Sequence, residues 1–187
     1  MNLHKPHPGR HFVQFYDDDS FVIDNVCGLA ANALATGSSA VVVATQGHLD
    51  RIDHGLNTRG IDLSKHRNDS RFFALDAHAA LSRFMCDGQP DADRFQLSIG
   101  KVISQAAESS ANHFVMAFGE MVALLSAEGN YAGAIQLEQL WNAFARSHEF
   151  SLYCAYPLNC FTNDRGSDAV LDICAEHSLT IPSENQL

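Results

Sequence analysis

The chain has 187 residues, 46% of them hydrophobic and 18% charged, with a formal net charge of -10. That balance describes a globular domain able to bury a substantial core, not a disordered polymer. The acidic excess argues against a phosphate-neutralising face, so no direct nucleic-acid binding is expected, and no apolar run reaches the roughly 18 residues of a membrane span.

Residues 1–10 are polar and rich in His and Pro, and read as a flexible lead-in rather than a signal peptide. His11 to Tyr16 reads as a buried first strand. Asp17-Asp18-Asp19-Ser20 then breaks the run and supplies helix N-cap chemistry. A helix follows over 21–35, where Phe21, Val22, Val26, Leu29, Ala33 and Leu34 form an apolar stripe near period 3.6. Ala40 to Ala44 is a β-branched run of the kind buried on both faces of a sheet. Residues 47–59 read as a weaker helix ended by Gly60. Phe72 to Leu75 is a third strand with Asp76 at its carboxyl end.

Residues 78–85 read as a short helix, 87–91 as a loop and 92–110 as a long helix. Phe114 to Phe118 is the fourth strand. Met121, Leu124 and Leu125 start a helix that Gly129 interrupts. Residues 131–148 form a strongly periodic helix through Leu137, Leu140, Trp141 and Phe144. Phe150 to Tyr156 is the fifth strand, closed by Pro157. A polar loop over 159–167, a last short helix over 169–175 and a tail over 183–187 complete the chain. Strands alternating with helices imply right-handed crossovers. The expected fold is α/β: a three-layer, doubly wound, mostly parallel five-stranded sheet in one domain over 11–182. Cys27, Cys86, Cys154, Cys160 and Cys174 are odd in number and mostly apolar in context, which suits buried free thiols in a reducing cytoplasm.

Several motifs stand together: His11-Phe12-Val13-Gln14-Phe15-Tyr16, Phe73-Ala74-Leu75-Asp76-Ala77, Phe118-Gly119-Glu120-Met121-Val122 and Ala127-Glu128-Gly129-Asn130. Leu137-Glu138-Gln139-Leu140-Trp141-Asn142 and Tyr153-Cys154-Ala155-Tyr156-Pro157 complete the set. With these, the chain from about His11 to Pro182 resembles the sensory domain named for methanogens and methylotrophs, MEDS, typified by the input region of a dichloromethane-responsive regulator. The resemblance implies a signal-input domain of the kind attached to histidine kinases or transcription regulators.

A more distant likeness is to the RecA-type ATPase core of the circadian-clock protein KaiC. The sequence departs from it where chemistry would occur. A phosphate-binding loop needs glycine amides and a lysine. Here the turn after the first strand is Asp17-Asp18-Asp19, and the only lysines are Lys5, Lys65 and Lys101. Nucleotide hydrolysis is therefore not expected, and the chain is read as a non-enzyme.

In an open α/β sheet, ligands bind at the carboxyl ends of strands. Glu120 follows the fourth strand directly and reads either as a ligand acceptor or as an acid stabilised by a helix start. Glu138 and Asn142 are four apart on one helix face beside Trp141, a pocket wall or a seam beside a core tryptophan. His11 and Tyr16 flank the first strand, and Tyr156 ends the fifth. The expected ligand site is therefore His11, Tyr16, Glu120, Glu138, Trp141, Asn142 and Tyr156.

His4, His7 and His11 have metal-like spacing, but two prolines in a mobile lead-in argue against a preformed site. No metal and no cofactor are expected. Asp17-Asp18-Asp19 reads as a solvated turn and cap, with cation binding as the alternative. The leading reading is a cytoplasmic sensory domain that binds an unidentified small molecule and signals to a histidine kinase or regulator, with a homo-oligomer compatible. A ligand-free protein-interaction module and a divergent nucleotide-binding enzyme are its competitors.

Overall fold

His11–Tyr16 (β1) is buried at every position because it lies inside a sheet, with a parallel neighbour on each side and helices above and below. The computed structural model describes residues 9–162 and 164–181. His4 and His7 of the lead-in, and the tail over 183–187, lie outside the described residues.

After β1 come Asp19–Ala35 (α1), Ser39–Ala44 (β2), Gln46–Thr58 (α2), Leu63–Asn68 (α3), Phe72–Asp76 (β3) and Ala77–Phe84 (α4). Met85–Cys86 (β4) and Gln89–Pro90 (β5) form a small antiparallel hairpin. Its turn places Asp87 and Gly88 at φ 49° and 78°, left-handed geometry that Asp and Gly tolerate best. Ala92–Phe95 (α5) runs through a π-helical turn, Gln96–Gly100, into Lys101–Ser109 (α6). Val115–Gly119 (β6), Met121–Ala127 (α7), Tyr131–Ala145 (α8) and Phe150–Pro157 (β7) follow. A 3-10 turn over Leu158–Phe161, then Asp164–Ala175 (α9) and Leu179–Ile181 (β8), complete the fold.

The main sheet has the order β3-β2-β6-β7-β1-β8, and every pairing in it is parallel. The five expected strands are present, and the sheet has six. The additional edge strand, Leu179–Ile181, pairs with β1. It is three residues long with an exposed threonine at its centre, too short to show a periodic pattern. The expected loop over 87–91 is likewise part of a hairpin, and α3 was not foreseen.

Side chains alternate across each strand, so successive residues enter different cores. Phe12 and Tyr16 of β1 join Val42, Phe118 and Tyr153 under α1 and α2. Val13 and Phe15 join Val43, Ala117, Leu152 and Tyr156 under the helices of the other face. Helices on both faces of a parallel sheet give a three-layer α/β fold. Gly129, at φ 76°, separates α7 from α8, and Asn130 then caps α8 by accepting from the Gly133 amide.

Candidate functional site

The expected site residues divide into two groups that differ in position and in chemistry. The first lies at the carboxyl edge of the sheet. Glu120 ends the β6 run, its amide donating to the carbonyl of Val43 at 2.9 Å. At the N-cap position of α7 it makes no capping bond. Its carboxylate turns instead to the start of α2, where Oε2 accepts from the Thr45 amide at 2.8 Å and Oε1 contacts His48 Nδ1. His48 Nε2 lies 3.3 Å from Asp19 Oδ2, at the first turn of α1. Arg51 also reaches Asp19, at 3.6 Å, and donates to Ser20 Oγ at 3.1 Å.

One carboxylate, one imidazole and one exposed aspartate thus tie three elements together. The hydrogen bond from Glu120 leads the effects on His48; burial opposes it, and the net result holds the imidazole above its usual range. Burial, then the charges of Glu120 and Asp19, push the Tyr16 phenol up. Tyr16 is therefore a neutral, buried neighbour of this group.

The second group lies inside the opposite core, between the sheet and α8. Glu138 is fully buried there. Tyr156 donates to its Oε1 at 2.7 Å, and the Cys154 thiol donates to its Oε2 at 3.4 Å. His11 Nε2 lies 3.1 Å from Oε2, and His177 Nε2 lies 3.4 Å from Oε1. Burial alone would push the Glu138 carboxyl up; the charge of His177 and the hydrogen bond from His11 outweigh it and hold it well below the usual carboxylate range. Burial and then Glu138 push Cys154 and Tyr156 up, keeping both protonated as donors.

The outer nitrogens of the two imidazoles are fixed by their partners. His177 Nδ1 faces the carbonyl of Ile173 at 2.6 Å and must donate to it. Asn142 Nδ2 donates to Glu176, to the backbone carbonyl at 2.8 Å and to Oε2 at 3.0 Å. That sets the amide so that Asn142 Oδ1 accepts from His11 Nδ1 at 2.8 Å. Both Nε2 atoms therefore point at Glu138. His177 Nε2 is buried and makes no hydrogen bond there.

Of the seven expected residues, His11, Glu138, Asn142 and Tyr156 meet in this core cluster, while Glu120 and Tyr16 belong to the carboxyl edge. Trp141 joins neither polar network. It is 2% exposed and packs edge-to-face on Phe95, centroids 5.0 Å apart, and against Phe150 at 5.8 Å. Glu138 and Asn142 do share a helix face, but that face is turned into the core. His48, Asp19, Cys154 and His177 were missed as site residues. No local motif marks them; only the crossing of elements brings them in.

Asp18 caps α1 by accepting from the Ser20 amide at 2.8 Å, which bears out the cap expected of the acidic turn. A cleft of ≈ 240 Å³ lies beside β3, between it, α4 and the π-helical turn, lined in part by Asp76, Arg83, Ser98 and Ile99. A much smaller cavity of ≈ 30 Å³ borders His11, Asn142 and Trp141. All five cysteines are free thiols. Among the described residues, no helix is long and apolar enough to cross a membrane.

The sheet order and its two helical layers define a RecA-like α/β fold. A solved structure with this architecture, the flagellar accessory protein FlaH from Methanocaldococcus jannaschii, is similar over 95% of this chain and 71% of its own. The TM-score is 0.61 at 12% identity, a likeness of fold alone. The family model for MEDS, the methanogen/methylotroph, DcmR sensory domain, matches residues 10–178, and the chain belongs to that family. No curated protein matches it significantly.

Proposed function

We propose that this chain is a non-catalytic signal-input domain, one unit over 11–182, that binds a small molecule at the carboxyl edge of its sheet and signals to a histidine kinase or a transcription regulator. Membership of a sensory family gives the role. The carrying observation for the site is the way the protein's own carboxylates occupy the helix starts at this edge. Asp18 caps α1, and Glu120 takes the Thr45 amide at the start of α2. A helix start of this kind ordinarily attracts phosphate. With a carboxylate already on the amides, phosphate meets repulsion, which supports a degenerate relative of KaiC-type ATPases rather than a nucleotide hydrolase.

The same arrangement gives a route for the signal. His48 bridges Asp19 on α1 and Glu120 after β6. A ligand that supplies its own donor to Glu120, or its own acceptor to His48, separates these partners and loosens α1 from α2. A cleft that begins at Asp76, the residue that pairs with Ala44 at the end of β2, offers room for a small molecule. Leu97, Leu158 and Leu171 are exposed but belong to three separate elements, so they give the protein-interaction reading no specific support.

The test is native mass spectrometry of freshly purified protein, followed by thermal unfolding with any retained molecule. At a hundredfold excess over Kd a genuine ligand stabilises by about 2.7 kcal/mol. Glu120→Gln and His48→Asn should shrink that shift while the fold persists. Unchanged shifts in both folded variants would move the site away from this edge.

A further inference from the structure

Four donor atoms converge beneath α8 from four stretches of chain: His11 Nε2 on β1, a Glu138 carboxylate oxygen on α8, Cys154 Sγ on β7 and His177 Nε2 just after α9. All lie within 4.8 Å of one another. We propose that these four side chains form a closed site for a divalent transition-metal ion of the zinc class, pinning β1, β7, α8 and the end of α9 together. This reading does not rest on the ligand proposed for the carboxyl edge.

Orientation supports it first. A metal-bound histidine typically donates its other ring N–H to a carbonyl or carboxylate, which fixes the tautomer. Both imidazoles have that arrangement, His11 through Asn142 Oδ1 and His177 through the Ile173 carbonyl. Each then aims an Nε2 lone pair at the same carboxylate. Lone pair against carboxylate is repulsive unless a proton or a cation lies between. His177 Nε2 is buried and lacks a hydrogen bond even at 3.4 Å from Glu138.

Charge distinguishes a metal from protons, and the spacing is compatible with one. Ligands on a tetrahedral zinc at its usual bond lengths lie about 3.3–3.8 Å apart. Here His11 Nε2 and Cys154 Sγ lie 3.1 Å and 3.4 Å from Glu138 Oε2 and 3.4 Å from each other, while His177 Nε2 lies 3.4 Å from the other carboxylate oxygen, Oε1. One imidazolium would balance the Glu138 charge but leave the second Nε2 lone pair facing the carboxylate, and two would leave net positive charge in an apolar core, which is costly. A dication balanced by the Glu138 carboxylate and a Cys154 thiolate leaves the site neutral. The thiol proton leaves to solvent as the metal–sulfur bond forms, because a coordinating thiol is deprotonated by the ion. The mixed nitrogen, sulfur and oxygen set suits zinc better than magnesium or calcium.

The experiment uses the full chain. Metal analysis after purification without added metal should find about one zinc per chain. Chelator-treated protein given cobalt(II) should show the absorption of tetrahedral cobalt with a thiolate-to-cobalt charge-transfer band. Cys154→Ser should remove that band, whereas Cys160→Ser, at another buried thiol, should keep it. A His4→Gln/His7→Gln double variant should also keep it, which separates the core site from the N-terminal histidines. Asn142→Ala should weaken cobalt binding about 10- to 100-fold by releasing His11. Wild-type protein that neither retains metal nor shows the charge-transfer band overturns the proposal. So does a band that survives Cys154→Ser. If Cys154→Ser fails to fold, the wild-type band together with the weaker cobalt binding of Asn142→Ala supports the proposal, and unchanged cobalt affinity in Asn142→Ala overturns it.

Discussion

His11 and Cys154 stand 143 positions apart in sequence, yet His11 Nε2 is 3.4 Å from Cys154 Sγ in the core. Parallel register explains the meeting. β1 and β7 pair Val13 with Cys154, and His11 lies two residues before Val13, on the same face of its strand. α8 then lays Glu138 across both. Shifting either strand by one residue would send the histidine or the thiol into the opposite core.

The hydroxyl of Tyr156 donates to the buried Glu138 carboxylate at 2.7 Å. Tyr156→Phe keeps the ring and removes that donor. It should destabilise the protein by about 1.5–3 kcal/mol, the usual worth of a hydrogen bond to a charged group. Urea unfolding measures this directly. A midpoint unchanged from the parent would mean that the carboxylate does not depend on Tyr156.

The His48–Glu120 pair should make stability depend on pH in a definite sense. The folded state holds the His48 imidazole above its ordinary value of 6.5, while the unfolded chain does not. The pair's contribution is therefore complete below 6.5 and disappears as pH rises through the elevated folded value. Glu120, Asp19 and Arg51 are the charged groups in this network, with the neutral Tyr16 phenol beside it. Thermal unfolding at about pH 6 and about pH 9, in wild type and His48→Asn, isolates the effect by difference. The gap between the two proteins should be wider at the lower pH; an equal or reversed gap would refute the linkage.

Trp141 belongs to the aromatic core with Phe95 and Phe150. Trp141→Ala should cost about 3–5 kcal/mol, as deletions of large buried aromatics do. Trp141→Phe should cost less. Calorimetry or urea unfolding distinguishes this from a surface pocket wall, for which truncation would leave stability nearly unchanged.

ATP turnover should stay at background. Lys101 is exposed just after the π-helical turn, and the Asp18 carboxylate already accepts from the Ser20 amide at the start of α1. A phosphate-release assay on purified protein checks this. Sustained release that substitutions over residues 16–20 abolish would reverse the reading.

The main strands were legible because buried parallel strands are short apolar runs, as Ala40 to Ala44 shows. The helices were legible because Leu137, Leu140, Trp141 and Phe144 repeat near the helical period. Glu120 could be singled out because a carboxylate directly after a strand is a local fact. The sequence alone therefore determined the α/β class, the succession of layers and several polar residues worth attention. It could not reveal β8, whose three residues are too few to carry a pattern, or the pairing within the Met85–Pro90 hairpin.

Only the tertiary structure decided which polar residues meet. His48 joins Glu120 because α2 starts beside the end of β6. His177 joins Glu138 because α9 ends against α8, and Cys154 joins His11 through strand register. Sequence spacing also put Trp141 beside Glu138 and Asn142, but one helix turns its neighbouring side chains in different directions. Local periodicity specifies an element and its buried face; the contents of a site depend on how separate elements cross, and that is set by packing across the whole chain.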